Sequence, residues 1–196
     1  MHNIKIIALI SSCCILLLMH TGCSSPAGNT GSENTAQGAE TMIQSITVRA
    51  AAFGHNEPIP SEYTCQGENY SPEISWTPVS NAVSYALICD DPDAPNPDGF
   101  VHWVVFNIPP DATTLAKSLP TDEPMSNGAV QGENSYRKSE YDGPCPPKGT
   151  HRYFFKVYAL DTMVDLDSSA RRDDFLDNAD GHIIGYGELI GTYKKQ

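Results

Sequence analysis

Two segments concentrate side chains able to do chemistry. The first is Asp90-Asp91-Pro92-Asp93-Ala94-Pro95, followed after a short loop by His102. Three carboxylates stiffened by two prolines are costly unless each is solvated or paired, and His102 stands close enough in sequence to approach them. The second runs from Tyr141 to Tyr153, with Pro144, Pro146 and Pro147 ahead of His151-Arg152-Tyr153. A proline-rich loop is stiff, and here it delivers three donors suited to an anionic oxygen. Asp91, His102 and His151 would also be acceptable metal ligands. Nothing in their spacing favours a cation over an oxyanion, so no metal and no other cofactor is assigned. The chain has neither a Gly-x-Ser-x-Gly elbow nor a His-Glu-x-x-His helix, so no residue is assigned a catalytic role.

The elements that must position these groups read as short strands. Ile46–Arg49 alternates and is β-branched. Ser84–Cys89, His102–Ile108 and Arg152–Leu160 are apolar runs of strand length, bounded by Pro, Gly and Asp. Runs of that kind fit strands enclosed on both faces. Gly and Pro number 15 each, and the apolar content is 40%, enough for a real core. Helical signals are few: Ser168–Ala179 predicts one short helix, with Ser168 or Ser169 as N-cap and Gly181 past its end. The reading is mostly β, with one or two short peripheral helices and a single domain over residues 43–196. Trp76 and Trp103 are expected in its core. His55 is expected in an exposed turn, and His182 in a structural place behind the helix.

The ordered segments Tyr63–Asn69, Asp91-Pro92-Asp93-Ala94-Pro95, His102–Ile108, Gly143–Tyr153 and Gly181–Tyr193 together resemble the phosphatidylethanolamine-binding-protein family, in its bacterial Raf-kinase-inhibitor-like branch. The likeness covers residues 45–193. It implies a two-sheet antiparallel Greek-key domain with a small pocket at one end for phosphate, acetate or a phosphoryl head group. Carried over motif by motif, the pocket residues are Asp91, His102, Pro146, Pro147, His151 and Tyr153. Asp93 belongs to the motif and is expected mainly to organise its loop. Arg152 is a weaker candidate, because neighbouring strand residues point to opposite faces.

The N-terminal segment has a different purpose. Lys5 precedes an apolar run from Ile6 to Met19, too short for a comfortable span but suited to a signal peptide. Thr21-Gly22-Cys23 resembles a bacterial lipobox, with His20 where that pattern has an aliphatic residue. Residues 1–22 are therefore read as a signal peptide. Cys23 is read as the lipidated start of a polar tether reaching residue 42, which would anchor the domain in the cell envelope on the extracytoplasmic side. Of six cysteines, this leaves Cys65, Cys89 and Cys145, and an exported protein sits where disulfides persist. Cys65 and Cys145 lie in turn-rich loops while Cys89 ends a strand, so Cys65–Cys145 is the expected bridge.

The formal charge of −12 argues against nucleic acid, which is bound by basic faces. The leading functional reading is a non-enzymatic binding protein for a small anion or phosphoryl ligand. An extracytoplasmic protein-interaction or protease-inhibitor module of the same fold is the alternative, and no protein partner is named.

Overall fold

The structure, a computed structural model, describes residues 42–121 and 125–196. The signal peptide, Cys23 and nearly all of the tether expected from the sequence lie outside the described residues. The described part is mostly β and built on two sheets. Its strands are β1 (Gln44–Ser45), β2 (Val48–Ala50), β3 (Glu57–Pro58), β4 (Ile74–Trp76), β5 (Ser84–Asp91), β6 (Phe100–Ile108), β7 (Thr114–Leu115), β8 (Val130–Gly132), β9 (Thr150–Leu160) and β10 (Ile183–Lys194). One α-helix, α1 (Arg172–Ala179), and a 3-10 turn at Ser61–Tyr63 complete the set.

The larger sheet has the order β1-β10-β9-β5-β6-β8, with β3 also paired to β10, and β2-β4-β7 forms the smaller one. The long central strands pair antiparallel. The short strands β1 and β3 add to β10 in parallel, a detail beyond the antiparallel reading. All eight residues of β5 are buried, which explains its unbroken apolar run: both faces are covered. On one face Leu87, Trp103, Val105, Phe155 and Val157 pack with Val48, Ile74, Trp76 and Leu115 of the smaller sheet. On the other, Ile88, Val104, Phe106 and Leu160 pack with Phe175 and Ala179 of the helix.

The helix begins later than the sequence suggests. Ser168 and Ser169 are not its N-cap, because Asp167 captures the backbone N–H and hydroxyl of Ser169 in a local turn. The cap is instead Arg171, whose backbone N–H donates to Asp174 at 2.9 Å. A carboxylate from inside the first turn thus does what a serine ahead of it was expected to do. At the other end Gly181 takes a φ of +78°, the left-handed geometry that ends helices.

Topology fixes where the chemistry must lie. The C-terminal end of β5 and the N-terminal ends of β6 and β9 meet at one end of the larger sheet, since β6 and β9 flank β5 antiparallel. Asp91, His102 and His151 occupy those three strand ends.

Candidate functional site

Each carboxylate of the Asp90–Asp93 segment has its own cation or ring. Asp90 turns toward Lys156, 3.0 Å away, on a neighbouring strand. Asp93 accepts from Arg152 three times, from its backbone N–H at 3.0 Å and from Nε and Nη2 at 2.9 and 2.7 Å. That bidentate grip holds the Asp93 carboxyl at about 2, below its ordinary range. Asp91 is buried. Its Oδ1 accepts the backbone N–H of Asp93 at 2.9 Å, and its Oδ2 receives His151 Nδ1 at 2.7 Å.

His102 is held differently. It is 3% exposed, and its Nδ1 donates to the backbone carbonyl of Asp142, while the Asp142 N–H donates back to the His102 carbonyl at 3.0 Å. The loop carrying Asp142 is itself braced. Asn69, at a φ of +62°, accepts the Gly143 N–H at 2.8 Å and donates to the Asp142 carboxylate at 3.1 Å. Tyr141 donates its hydroxyl to the Tyr63 carbonyl at 2.8 Å. Cys65 and Cys145 are joined as a disulfide, leaving Cys89 a free, buried thiol. Gly143 sits so close to this turn that a Cβ would come within 2.2 Å of the Tyr63 carbonyl oxygen. No other residue type fits at that position without moving the loop.

Between these two walls lies a cavity of about 200 Å³ lined by Asp91, His102, His151, Pro146, Pro147, Phe100 and Tyr136, with Ala94, Pro95, Asn96 and Cys145 at its sides. Five of the six pocket residues expected from the sequence are therefore brought together. The sixth, Tyr153, is not among the lining residues. It is fully buried, packs edge-on against the His102 ring at 5.2 Å between centroids, and its hydroxyl finds no hydrogen-bond partner among the described residues. Burial first, and the Asp91 charge next, push that phenol far above its ordinary range. Tyr153 is a backing for His102 rather than a wall. Asp93 and Arg152 are also absent from the lining, because they are spent on each other. The alternation of β9 turns His151 and Tyr153 inward and Arg152 out.

Phe100 and Tyr136 were missed by sequence reasoning. Phe100 had a signal: it lies two positions before His102 on one strand, and so on the same face. Tyr136 packs edge-on against Phe100 at 4.8 Å and is placed by Asn134. This nearly fully buried amide accepts from the N–H groups of Tyr136 and Lys138 and donates to the Glu140 carbonyl. Asp142 was also missed, because it acts through a backbone oxygen that has no side-chain signature.

Electrostatically, burial lowers the readiness of His102 to take a proton, against the opposing pull of the Asp142 carbonyl and the Asp91 charge. No three His, Cys, Asp or Glu side chains converge to hold a metal ion among the described residues. His55 is exposed, as expected, and accepts weakly from the Ile190 N–H at 3.4 Å. His182 pairs with Asp161 at 2.8 Å, half-exposed behind the helix. Trp76 and Trp103 are core residues.

A family model described as phosphatidylethanolamine-binding protein matches residues 49–194. A UPF0098 protein of Methanothermobacter thermautotrophicus is 49% identical over 151 residues, covering 76% of this chain and 99% of its own length. Among solved structures, a phosphatidylethanolamine-binding-protein homologue from Chlamydia trachomatis superposes with a TM-score of 0.71 at 37% identity, over 78% of this chain and 99% of the other. YbcL of E. coli, described as a member of the mammalian family, gives 0.72 at 31% identity, over 77% and 99%. A match across nearly all of the β domain, in sequence and in backbone alike, carries one conclusion: the chain belongs to the phosphatidylethanolamine-binding-protein family.

Proposed function

We propose that the cavity binds a small anion or phosphoryl group and that the protein acts by binding rather than by catalysis. The observation that carries this reading is the convergence of two imidazoles in one small, rigid-walled space. Each ring is pinned through Nδ1, which leaves its second nitrogen for a ligand. Rings held in a fixed orientation before the ligand arrives bind with less loss of freedom than mobile ones. The lining supplies no serine, threonine, lysine or free thiol, which favours binding over covalent chemistry. A positioning role for Pro146 and Pro147 follows from the same economy.

Titration calorimetry of inorganic phosphate and O-phosphoethanolamine into the wild type, His102→Ala and His151→Ala tests the proposal. A hydrogen bond to a charged group is worth about 1.5–3 kcal/mol, so each substitution should weaken binding roughly ten- to hundredfold. Equal affinity in all three proteins would remove the histidines from the site's function. The setting we propose is the cell envelope, reached through the N-terminal apolar run and a lipid on Cys23. Its support is the Thr21-Gly22-Cys23 junction and the polar residues behind it. Cys23→Ser should then release the protein from the membrane fraction.

A further inference from the structure

The two histidines of the cavity are fixed in matching tautomers, and this limits what each offers a ligand. His102 Nδ1 faces a backbone carbonyl, which only accepts, so Nδ1 carries the hydrogen. His151 Nδ1 faces Asp91 Oδ2, and the other Asp91 oxygen already accepts from Asp93. A carboxylate accepting at both oxygens leaves His151 Nδ1 as the donor. The remaining nitrogen of each ring, Nε2, has no protein partner and is not sealed off among the described residues, and both rings line the cavity. In a neutral imidazole that nitrogen is a bare lone pair. With both rings neutral, the floor presents two lone pairs beside the Asp91 side chain, which is an acceptor surface. A fully deprotonated anion would find no donor on those two nitrogens, and among the described lining side chains only Asn96 and Tyr136 would remain to donate to it.

A proton removes the mismatch, whether it rides on a ring or on the ligand. Resting on the anion reading above, we propose that this site selects acids that bring or share a proton, namely phosphomonoesters and inorganic phosphate, over phosphodiesters. Binding near and above neutrality then takes up about one proton per ligand from the solvent. A phosphomonoester keeps a P–OH up to a second pKa of about 6, and that hydroxyl can donate to an Nε2 lone pair. A phosphodiester has no such proton and depends wholly on protonating a ring. The groups packed around His102 are Asp142 from the proline loop, Asp90 and Asp91 from β5, Tyr153 from β9 and Tyr136 from the loop after β8. Around His151 are Asp91 and the Asp93–Arg152 pair. The carboxylates favour a charged ring and burial opposes it, so the empty site rests with His102 neutral and the ligand's charge tips it.

The test uses the full chain and compares O-phosphoethanolamine, a monoester, with glycerophosphoethanolamine, a diester, at pH 5, 6.5 and 7.5. Each titration is run in buffers of different ionisation enthalpy. The expected result is a monoester preference of about tenfold or more at pH 6.5, narrowing at pH 5, where protons are more available to a diester complex. At pH 7.5 the buffer dependence should report uptake of about one proton for the monoester. Equal affinities at pH 6.5, or a binding enthalpy independent of buffer at pH 7.5, would overturn this inference while leaving an anion site standing. Absence of binding by either probe, and by inorganic phosphate, from pH 5 to 7.5 would overturn both. His102→Gln and His151→Gln supply an amide donor that needs no proton. Whichever of them folds, by its thermal melt, should bind the diester at pH 7.5 with reduced proton uptake. A folded variant that retains the full discrimination would count against the proposal.

Discussion

The two walls of the cavity hold chemically identical rings by unlike means. On the β5–β9 side, His151 is fixed by the carboxylate of Asp91, a partner on the adjoining strand. The sheet ladder delivers both groups, and nothing further is needed. On the β6 side, His102 is fixed by the backbone carbonyl of Asp142 in a loop. That loop is held in place by Asn69, Tyr141, Gly143 and the Cys65–Cys145 bond, among other contacts. A side-chain partner can be exchanged or titrated; a backbone partner can be lost only by moving the loop. One wall is therefore sensitive to local chemistry, the other to distant covalent structure.

The largest expected effect separates the two. Removing the disulfide in a Cys65→Ser/Cys145→Ser variant should lower unfolding free energy by about 4 kcal/mol on chain-entropy grounds. Urea titration measures the loss. In the folded fraction, NMR of the ring nitrogens should show His102 perturbed and His151 unchanged. Equal perturbation of both rings would erase the distinction between the two walls.

Asp91→Ala makes the converse test. It leaves a buried imidazole without its partner and frees the Asp93 N–H, at a cost of about 2–3 kcal/mol in urea unfolding. His151 should lose its fixed tautomer while His102 keeps its bond to Asp142. A variant as stable as wild type would show that the pair is ornamental to the fold.

The smallest effect belongs to the surface clamp beside the first wall. Asp93 is ordinarily near 3.8 and is held at about 2 by Arg152. Its folded value lies below its unfolded one, so its contribution is complete above about pH 4 and is lost as the pH falls through about 2. The pair is exposed, and solvent screening keeps its worth below about 1 kcal/mol. Asp93→Asn should therefore shift the melting temperature slightly at pH 7 and leave it unchanged at pH 2. A large shift at pH 7 would place Asp93 in the site's framework.

Much of this architecture is legible in the sequence, for a physical reason. The unbroken apolar runs of β5 and β6 announce strands covered on both faces, and the period-two pattern of β9 separates His151 from Arg152. The motif residues on those strands fall together because antiparallel pairing puts their ends side by side. Apart from Phe100, what escaped had no periodic signal to mark it. The helix cap escaped because Asp167, two residues ahead, captures Ser169 in a local turn. The family resemblance puts Tyr153 among the pocket residues and β9 does turn it inward, but parity does not say whether an inward residue reaches the cavity or stops behind another ring. Asp142 escaped because any residue could offer the same carbonyl, and only the loop's bracing puts it against His102.

The disulfide also has a consequence for how the chain may be cut. It joins positions 80 residues apart, so the polypeptide from Cys65 to Cys145 is a closed covalent ring. Asp91, Phe100, His102, Tyr136 and Asp142 all lie within that ring, whereas His151 and Tyr153 lie on the strand just beyond it. One backbone cut inside the ring yields no separate fragment until the bond is reduced. One cut between Cys145 and His151 divides the molecule through the pocket itself, leaving His102 on one piece and His151 on the other.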